Sequence, residues 1–390
     1  DSNALLKKNL LTSRVMIYDR NDNVVVYHQP AYDLMLIMRE IQPFDTLDFC
    51  NILSITKEQF EKRIAEIKNR RLNPGYSSYV PQVFMNHLSA QECGILQEKL
   101  YKFPGFYIQN RTIRQYEYPY AAHVLGNIGQ VNRKDIEADD YYVQGDDSGR
   151  AGVERSYEKQ LRGEKGVEIL LRDVHGRIKG KYDDGASDVA PVSGKNLKLS
   201  LDINLQAYGE KLMKNKVGSI VMIEPETGEV LCLVTSPNYD PSLLVGRQRG
   251  KNHRMLEENP QTPLIDRSIT GFYPPGSTFK PTQGLIFLQE GVITPSTMYT
   301  CAHGYTYSIK RKPACHGHAS PLSLVPALAT SCNSFFCWGL HDMLDNRRRY
   351  PTVQEGFEVW KNHLVSMGYG YPLGIDLPGE KRGYIPNSKV

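Results

Sequence analysis

Residues 271–281 read Gly-Phe-Tyr-Pro-Pro-Gly-Ser-Thr-Phe-Lys-Pro. Pro274-Pro275-Gly276 makes a stiff turn, because proline fixes φ and glycine supplies dihedrals that other residues avoid. Ser277 follows at a helix start. Lys280 stands three residues further on, one turn away on the same helix face. Pro281 falls in the first turn, where a missing N–H costs least. A serine hydroxyl is a weak nucleophile until a base takes its proton. A lysine held neutral by burial can be that base, and a helix N-terminus favours negative charge developing beside it. The Ser-x-x-Lys spacing alone decides little. Ser54-Ile55-Thr56-Lys57 shares it and reads as an ordinary helix start, where serine is by default an N-cap. The proline-glycine turn is what singles out Ser277.

Downstream, Ser331-Cys332-Asn333 lies between two helical segments. Its hydroxyl suits proton relay and its amide suits holding a peptide group. Ser236-Pro237-Asn238, at a strand end, repeats the pattern, and a helix-capping pair is the plain alternative. Seven cysteines are too few for a disulfide framework in 390 residues. Four of them, however, lie between Cys301 and Cys337. Cys301, Cys315, His316, His318 and Cys332 occur within 32 residues, a ligand-rich cluster, and thiolate and imidazole together favour four-coordinate zinc. A Cys301–Cys315 disulfide and simple buried thiols are the alternatives. Cys93 and Cys337 fall on apolar helix faces and read as core.

The segments on either side supply a fold class. Met16–Tyr18 and Val24–Tyr27 flank the polar cluster 19–23, a hairpin-like signal, and Tyr32–Met38 follows as a further strand. Thr56 and Ser89 open capping boxes of helices, the first running to about Arg70. Residues 139–152 read as a loop and 152–164 as a helix. A composition break at 181–195 marks a domain boundary. Beyond it Leu197, Leu199, Leu201 and Ile203 alternate as in a strand. Val217–Ile223 and Val230–Thr235 form a hairpin through Pro225-Glu226-Thr227-Gly228. Helices follow at 278–289, 322–329, 334–344 and 353–365. The class is α+β: a β-rich N-terminal pedestal with a helical insert over residues 1–190, then a second domain over 191–390.

In this order the segments resemble the penicillin-binding protein superfamily, whose acyl-serine enzymes carry S-x-x-K, S-x-N and K-T-G motifs. Further similarity lies in Asp202, Leu205-Gln206, residues 225–229 and 236–241, and Gly374-Ile375-Asp376-Leu377-Pro378-Gly379-Glu380. Tyr18-Asp19-Arg20-Asn21, Arg114 with Tyr116, His123-Val124-Leu125-Gly126, Gly152-Val153-Glu154, Tyr157-Glu158 and Leu161-Arg162-Gly163 resemble the non-catalytic pedestal of the class B members. The elongation-type subfamily, penicillin-binding protein 2, is the nearest match, and the division type competes. Arg14-Val15 and Asn21-Asp22 depart from the pedestal's usual Arg-Gly and Asn-Gly. The chain has no Lys-Thr-Gly or Lys-Ser-Gly. The resemblance places that motif beyond Val390, so the expectation is a C-terminally truncated, serine β-lactamase-like transpeptidase domain that is catalytically incomplete as it stands.

The resemblance implies a peptidoglycan D,D-transpeptidase that cross-links stem peptides and is trapped by β-lactams. Ser277 would be the nucleophile, Lys280 its base, Ser331 a proton relay and Asn333 the donor-orienting residue. No cofactor is required for acyl transfer; members resembling penicillin-binding protein 2 can carry a metal near this site, which makes Cys301, Cys315, His318 and Cys332 the candidate set for a structural zinc, with His316 as substitute. The implied partners are a membrane glycosyltransferase and shape-determining proteins, at the periplasmic face of the inner membrane. The chain opens at Asp1, not Met, and reads as a processed or trimmed product; the resemblance implies an N-terminal anchor in the parent protein. A β-lactamase or β-lactam sensor, which lacks a pedestal, and a non-catalytic scaffold are the rival readings. Net charge is +4 with pI near 8.5, too mild for a nucleic-acid partner. Mean hydropathy is −0.44, and no apolar run approaches the roughly 18 residues of a membrane span.

Overall fold

One carboxylate builds the first turn. Asp19 is fully buried and accepts from the N–H groups of Asn21 and Asn23 at 2.8 and 2.9 Å, and from the Asn23 amide at 3.0 Å. These bonds hold its pKa below the usual carboxylate value against the opposing effect of burial. The turn joins strand Ile17–Tyr18 to Val24–Leu36 in antiparallel register, Ile17 opposite Val26. The hairpin expectation holds, but Tyr32–Met38 is not a separate strand. The chain stays extended from Val24 to Leu36 because Pro30 sits in a strand with continuous pairing to Phe106–Tyr116. Gln82–Leu88 pairs with the far end of the same strand, and Leu197–Lys198 runs parallel to Ile17–Tyr18.

The computed structural model describes residues 5–10, 12, 14–69, 76–143, 146–172, 178–246, 248–307 and 312–388. The fold is α+β and divides into two compact units, 1–268 with 376–378, and 269–375 with 379–390. No helix among the described residues is long and apolar enough to cross a membrane.

In the first unit both expected capping boxes form. Thr56 caps Lys57–Lys68 and Ser89 caps Ala90–Lys99; Arg70 lies outside the described residues. These helices close over a ring cluster in which Phe49 meets Phe103 and Phe106 at centroid distances of 4.9 and 4.6 Å. Cys93 is buried, as expected. Three further expectations fail. Residues 139–152 are not all loop, since Asp147–Ala151 pairs with Asn127–Gln130. The stretch after Gly152 is two short helices, Gly152–Ser156 and Glu158–Arg162, broken at Tyr157. The alternation from Leu197 ends at Lys198. Asp202 accepts from the N–H groups of Asn204 and Leu205 and starts the helix Ile203–Leu212, so the cap overrides the strand-like spacing.

Glycine is required where these elements meet. A Cβ on Gly126, whose φ is +75°, would lie 1.8 Å from the Ala151 carbonyl oxygen. Beside this crossing Arg14 and Arg114 share the fully buried carboxylate of Glu154, at 2.8 and 2.6 Å, and Arg14 also reaches Glu158 at 2.7 Å. The strands Gly218–Ile223 and Val230–Ser236 form the expected antiparallel pair.

In the second unit the helices Lys280–Gln289, Leu324–Ala329, Asn333–Leu344 and Val353–Ser366 pack around Ile286, Phe287, Phe335, Met343 and Trp360. Gly339 lets two of them approach: a Cβ there would lie 2.6 Å from the Phe287 ring, which is fully buried and has no room to move. Gly339→Leu is therefore expected to cost about 1–3 kcal/mol through overpacking. Thermal melting reads this, and an unchanged midpoint would contradict the packing argument. The same approach brings the N-terminal ends of both helices, and the residues in front of them, to one place.

Candidate active site

Pro275 leads into a single 3₁₀ turn, Gly276–Phe279, which runs directly into the helix Lys280–Gln289. Gly276 has φ +58°, which glycine accepts without steric cost. Ser277 sits inside that turn, exposed, two residues after the N-cap Pro275. Its hydroxyl thus stays free of the capping role that serine usually takes at a helix start. The Ser54 pattern behaves as ordinary capping, with Thr56 as the cap. The other decoy is structural too: the Ser236 hydroxyl donates to the carbonyls of Met213 and Lys216.

Lys280 is buried, and its Nζ lies 3.0 Å from Ser277 Oγ. It also contacts the Ser331 carbonyl at 2.7 Å, Ser331 Oγ at 2.9 Å and Asn333 Oδ1 at 2.6 Å. Two of these four oxygens, the Ser331 carbonyl and Asn333 Oδ1, only accept. A neutral amine has two N–H groups for them and one lone pair left for the hydroxyls. Burial lowers the Lys280 pKa below its ordinary value, although the Cys315, Cys332 and Cys337 thiols act in the other direction. The Phe336 ring, 5.9 Å away, forms part of the apolar wall. Ser331 Oγ is 2.8 Å from Ser277 Oγ, so the two hydroxyls and the amine form one hydrogen-bonded triangle.

Ser331 has φ +53°, a left-handed conformation unfavourable for serine and typical of functional sites. It turns the chain so that Cys332, next in line, becomes the N-cap of Asn333–Leu344 with its sulfur facing the Phe335 N–H at 3.4 Å. The Asn333 amide donates to the Ala314 carbonyl at 2.7 Å, which fixes which way its Oδ1 points. Sequence reading missed Ala314 and Phe336. Phe336 was legible as the residue one turn after Asn333, whereas nothing in the sequence marks Ala314.

The four expected cysteine and histidine residues also come together. The donor atoms of Cys301, Cys315, His318 and Cys332 all lie within 4.8 Å of one another, and the Cys315 and Cys332 sulfurs are 4.0 Å apart. His316 is exposed and outside the group. His318 Nδ1 faces the Ala319 carbonyl at 2.7 Å. Its Nε2 is buried and lacks a hydrogen bond of good geometry, although the Cys315 sulfur is near enough to help the Ala319 carbonyl raise the ring's pKa. Burial pushes the Cys315 thiol up, but the Ser334 N–H, His318 and Cys301 outweigh it and its pKa falls below the ordinary value. Cys332, more deeply buried, is pushed up to about 12. Cys337 is half-buried on the same helix.

The family model for the penicillin-binding protein dimerisation domain matches residues 10–199, and that for the penicillin binding protein transpeptidase domain matches residues 218–390. The chain belongs to the penicillin-binding protein family. Among curated relatives, a peptidoglycan D,D-transpeptidase MrdA of Acinetobacter baumannii is 30% identical over 398 residues, covering 99% of this chain and 56% of the relative. MrdA of Escherichia coli strain K12 is 30% identical over 389 residues, covering 96% and 58%. The chain therefore spans little more than half the length of these relatives. The peptidoglycan D,D-transpeptidase FtsI of the same strain is 27% identical over 320 residues, covering 76% of this chain and 46% of the relative. In fold the chain matches the penicillin-binding protein PBP2 solved in complex with MreC from Helicobacter pylori, with TM-score 0.75 and 24% identity, covering 98% of this chain and 69% of that one. These findings place it among class B penicillin-binding proteins of the penicillin-binding protein 2 type.

Proposed function

We propose that the protein carrying this chain is a peptidoglycan D,D-transpeptidase of cell-wall elongation, working through an acyl-serine at Ser277. The observation that carries this reading is the triangle of Ser277, Lys280 and Ser331, built around a buried amine with a lowered pKa. Ser277 Oγ attacks the carbonyl of the penultimate D-alanine while its proton passes to Lys280 Nζ. The tetrahedral intermediate collapses, the peptide C–N bond breaks, and the leaving D-alanine amine takes its proton through Ser331 Oγ. Asn333 holds the donor peptide. The Ser277 backbone N–H supplies one oxyanion donor. The amine of a neighbouring stem peptide then attacks the ester and frees Ser277. β-Lactams enter as donor mimics.

The division into a pedestal over 1–190 and a catalytic domain over 191–390 belongs to this reading. The match to the dimerisation domain disfavours a β-lactamase, which has no such module. The partners are a membrane glycosyltransferase and shape-determining proteins at the periplasmic face of the inner membrane, the latter supported by the Helicobacter pylori PBP2 of the same fold, solved in complex with MreC.

Cys301, Cys315, His318 and Cys332 fit a zinc ion. Their spacing suits tetrahedral coordination, His318 Nε2 is an orphaned buried acceptor, and the Ala319 carbonyl orients the ring as second-sphere partners do. When bound, zinc supplies a structural cross-link and takes no part in acyl transfer.

The test is the natural protein given a D-alanyl-D-alanine-ended stem peptide and an acceptor amine. Release of D-alanine with formation of cross-linked product, both blocked by penicillin, is expected. A folded protein that releases no D-alanine would overturn the reading.

A further inference from the structure

The buried ionic cluster of the first unit leaves donors over. Arg114 is 1% exposed. Its Nε donates to Glu154 at 2.6 Å, and its Nη1 donates to the Val15 carbonyl at 2.5 Å and lies 3.0 Å from His28 Nε2. Its Nη2 is buried and has no partner among the described residues. His28 is in the same position: with Nε2 accepting from Arg114, the ring proton lies on Nδ1, which is also buried and unpartnered. Burial and the neighbouring guanidinium hold the His28 pKa at about 4, so the ring stays neutral at ordinary pH. Glu154 takes Arg14 as well as Arg114 Nε, but it makes no bond to Nη2.

Arg114 stands in the wall between two adjoining cavities of about 380 and 310 Å³, which share Thr112, Arg114, Ile128 and Asp147. His28 lines the first. The second holds Arg249, whose guanidinium donates only to carbonyl oxygens, Ile128 O at 2.7 Å and Asn127 Oδ1 at 2.9 Å. No carboxylate among the described residues lies within ion-pair distance of it, although the charge of Asp147, which lines both cavities, acts on it against the effect of burial. Asn86 also lines this cavity, and its Oδ1 is buried without a donor. Around this cavity stand two guanidinium groups with N–H donors that the described residues leave unused and one amide oxygen with unused accepting capacity, Arg114 Nη2 and Asn86 Oδ1 lying just beneath its surface. A planar anion with an N–H close behind it matches both needs. A peptide C-terminus has that pattern: the carboxylate for Arg114 and Arg249, and the last amide N–H for Asn86.

We propose that this cavity pair in the pedestal is a binding site for the C-terminal carboxylate of a short peptide. The site stands apart from the acyl-serine reading, since all its residues belong to the first unit and Ser277 to the second.

Titration calorimetry of the natural protein with N-acetyl-alanyl-alanine, its C-terminal amide and acetate tests this. The dipeptide is expected to bind at least tenfold more tightly than the amide and than acetate. Arg249→Gln is expected to weaken it at least tenfold with an unchanged melting point. Arg114→Lys, which removes Nη2 and keeps the charge, is expected to do the same; if that variant fails to fold, Arg249→Gln decides. Absence of binding, equal binding of the amide, equal binding of free acetate, or no effect of Arg249→Gln would each overturn the proposal.

Discussion

Lys280→Met is expected to slow acylation of the natural protein by penicillin about 10²–10⁴-fold, the usual contribution of a positioned general base. The geometry gives the reason. Nζ is the one basic atom within hydrogen-bond reach of Ser277 Oγ among the described contacts, at 3.0 Å. It is oriented by two oxygens that can only accept, the Ser331 carbonyl and Asn333 Oδ1. The pH dependence follows from the sign of its shift. Burial penalises the ammonium form, so the Lys280 pKa lies below its ordinary value of 10.5. The neutral, proton-accepting amine is therefore populated at lower pH than for a free lysine. The acylation rate should rise with pH and level off at an apparent pKa below 10.5. Lys280→Met should lose that rising limb as well as the rate. A variant that acylates at the native rate, or a native profile flat in pH, would contradict the assignment.

Removing the zinc proposed for the Cys301, Cys315, His318 and Cys332 cluster, or replacing Cys315 by Ser, is expected to have the second large effect. Structural zinc sites contribute roughly 10–16 kcal/mol of apparent binding free energy in small peptides, so even a fraction of that is large against domain stabilities of about 5–15 kcal/mol. The coupling to the active site is short. Cys332 lies between Ser331 and Asn333, and Ala314, whose carbonyl holds the Asn333 amide at 2.7 Å, directly precedes Cys315. One zinc per chain is expected by elemental analysis, with a strong chelator lowering both the melting temperature and the acylation rate. Cys315→Ser should reproduce both losses. A metal-free native protein with a mapped Cys301–Cys315 disulfide would contradict the zinc reading.

The parts legible in the sequence were those fixed by local rules. Thr56 and Ser89 announce their helices because a capping box satisfies N–H groups within four residues. The chemistry was legible for a similar reason: Pro274-Pro275-Gly276 and the Ser277–Lys280 spacing are properties of one turn. The parts that stayed hidden depend on distant partners. Strand Phe106–Tyr116 is polar over Gln109–Arg111 and carries a fully buried arginine. It is a strand because it pairs along Val24–Leu36 and because Glu154, 40 residues away, takes its charge. Asp147–Ala151 is extended for the same kind of reason, its pairing with Asn127–Gln130. The alternation at Leu197–Ile203 misled because Asp202 is a better helix cap than a strand residue. Ser331's left-handed backbone, which aims its hydroxyl, is invisible without the packing that enforces it.

The central claim is that Ser277 becomes acylated, and the intact mass of the folded natural protein after incubation with penicillin tests it most directly, beside Ser277→Ala. The account predicts one penicillin adduct per chain, on the peptide containing Ser277, and none in the variant. An adduct that survives in Ser277→Ala, or a folded native protein that takes up no penicillin, would contradict it.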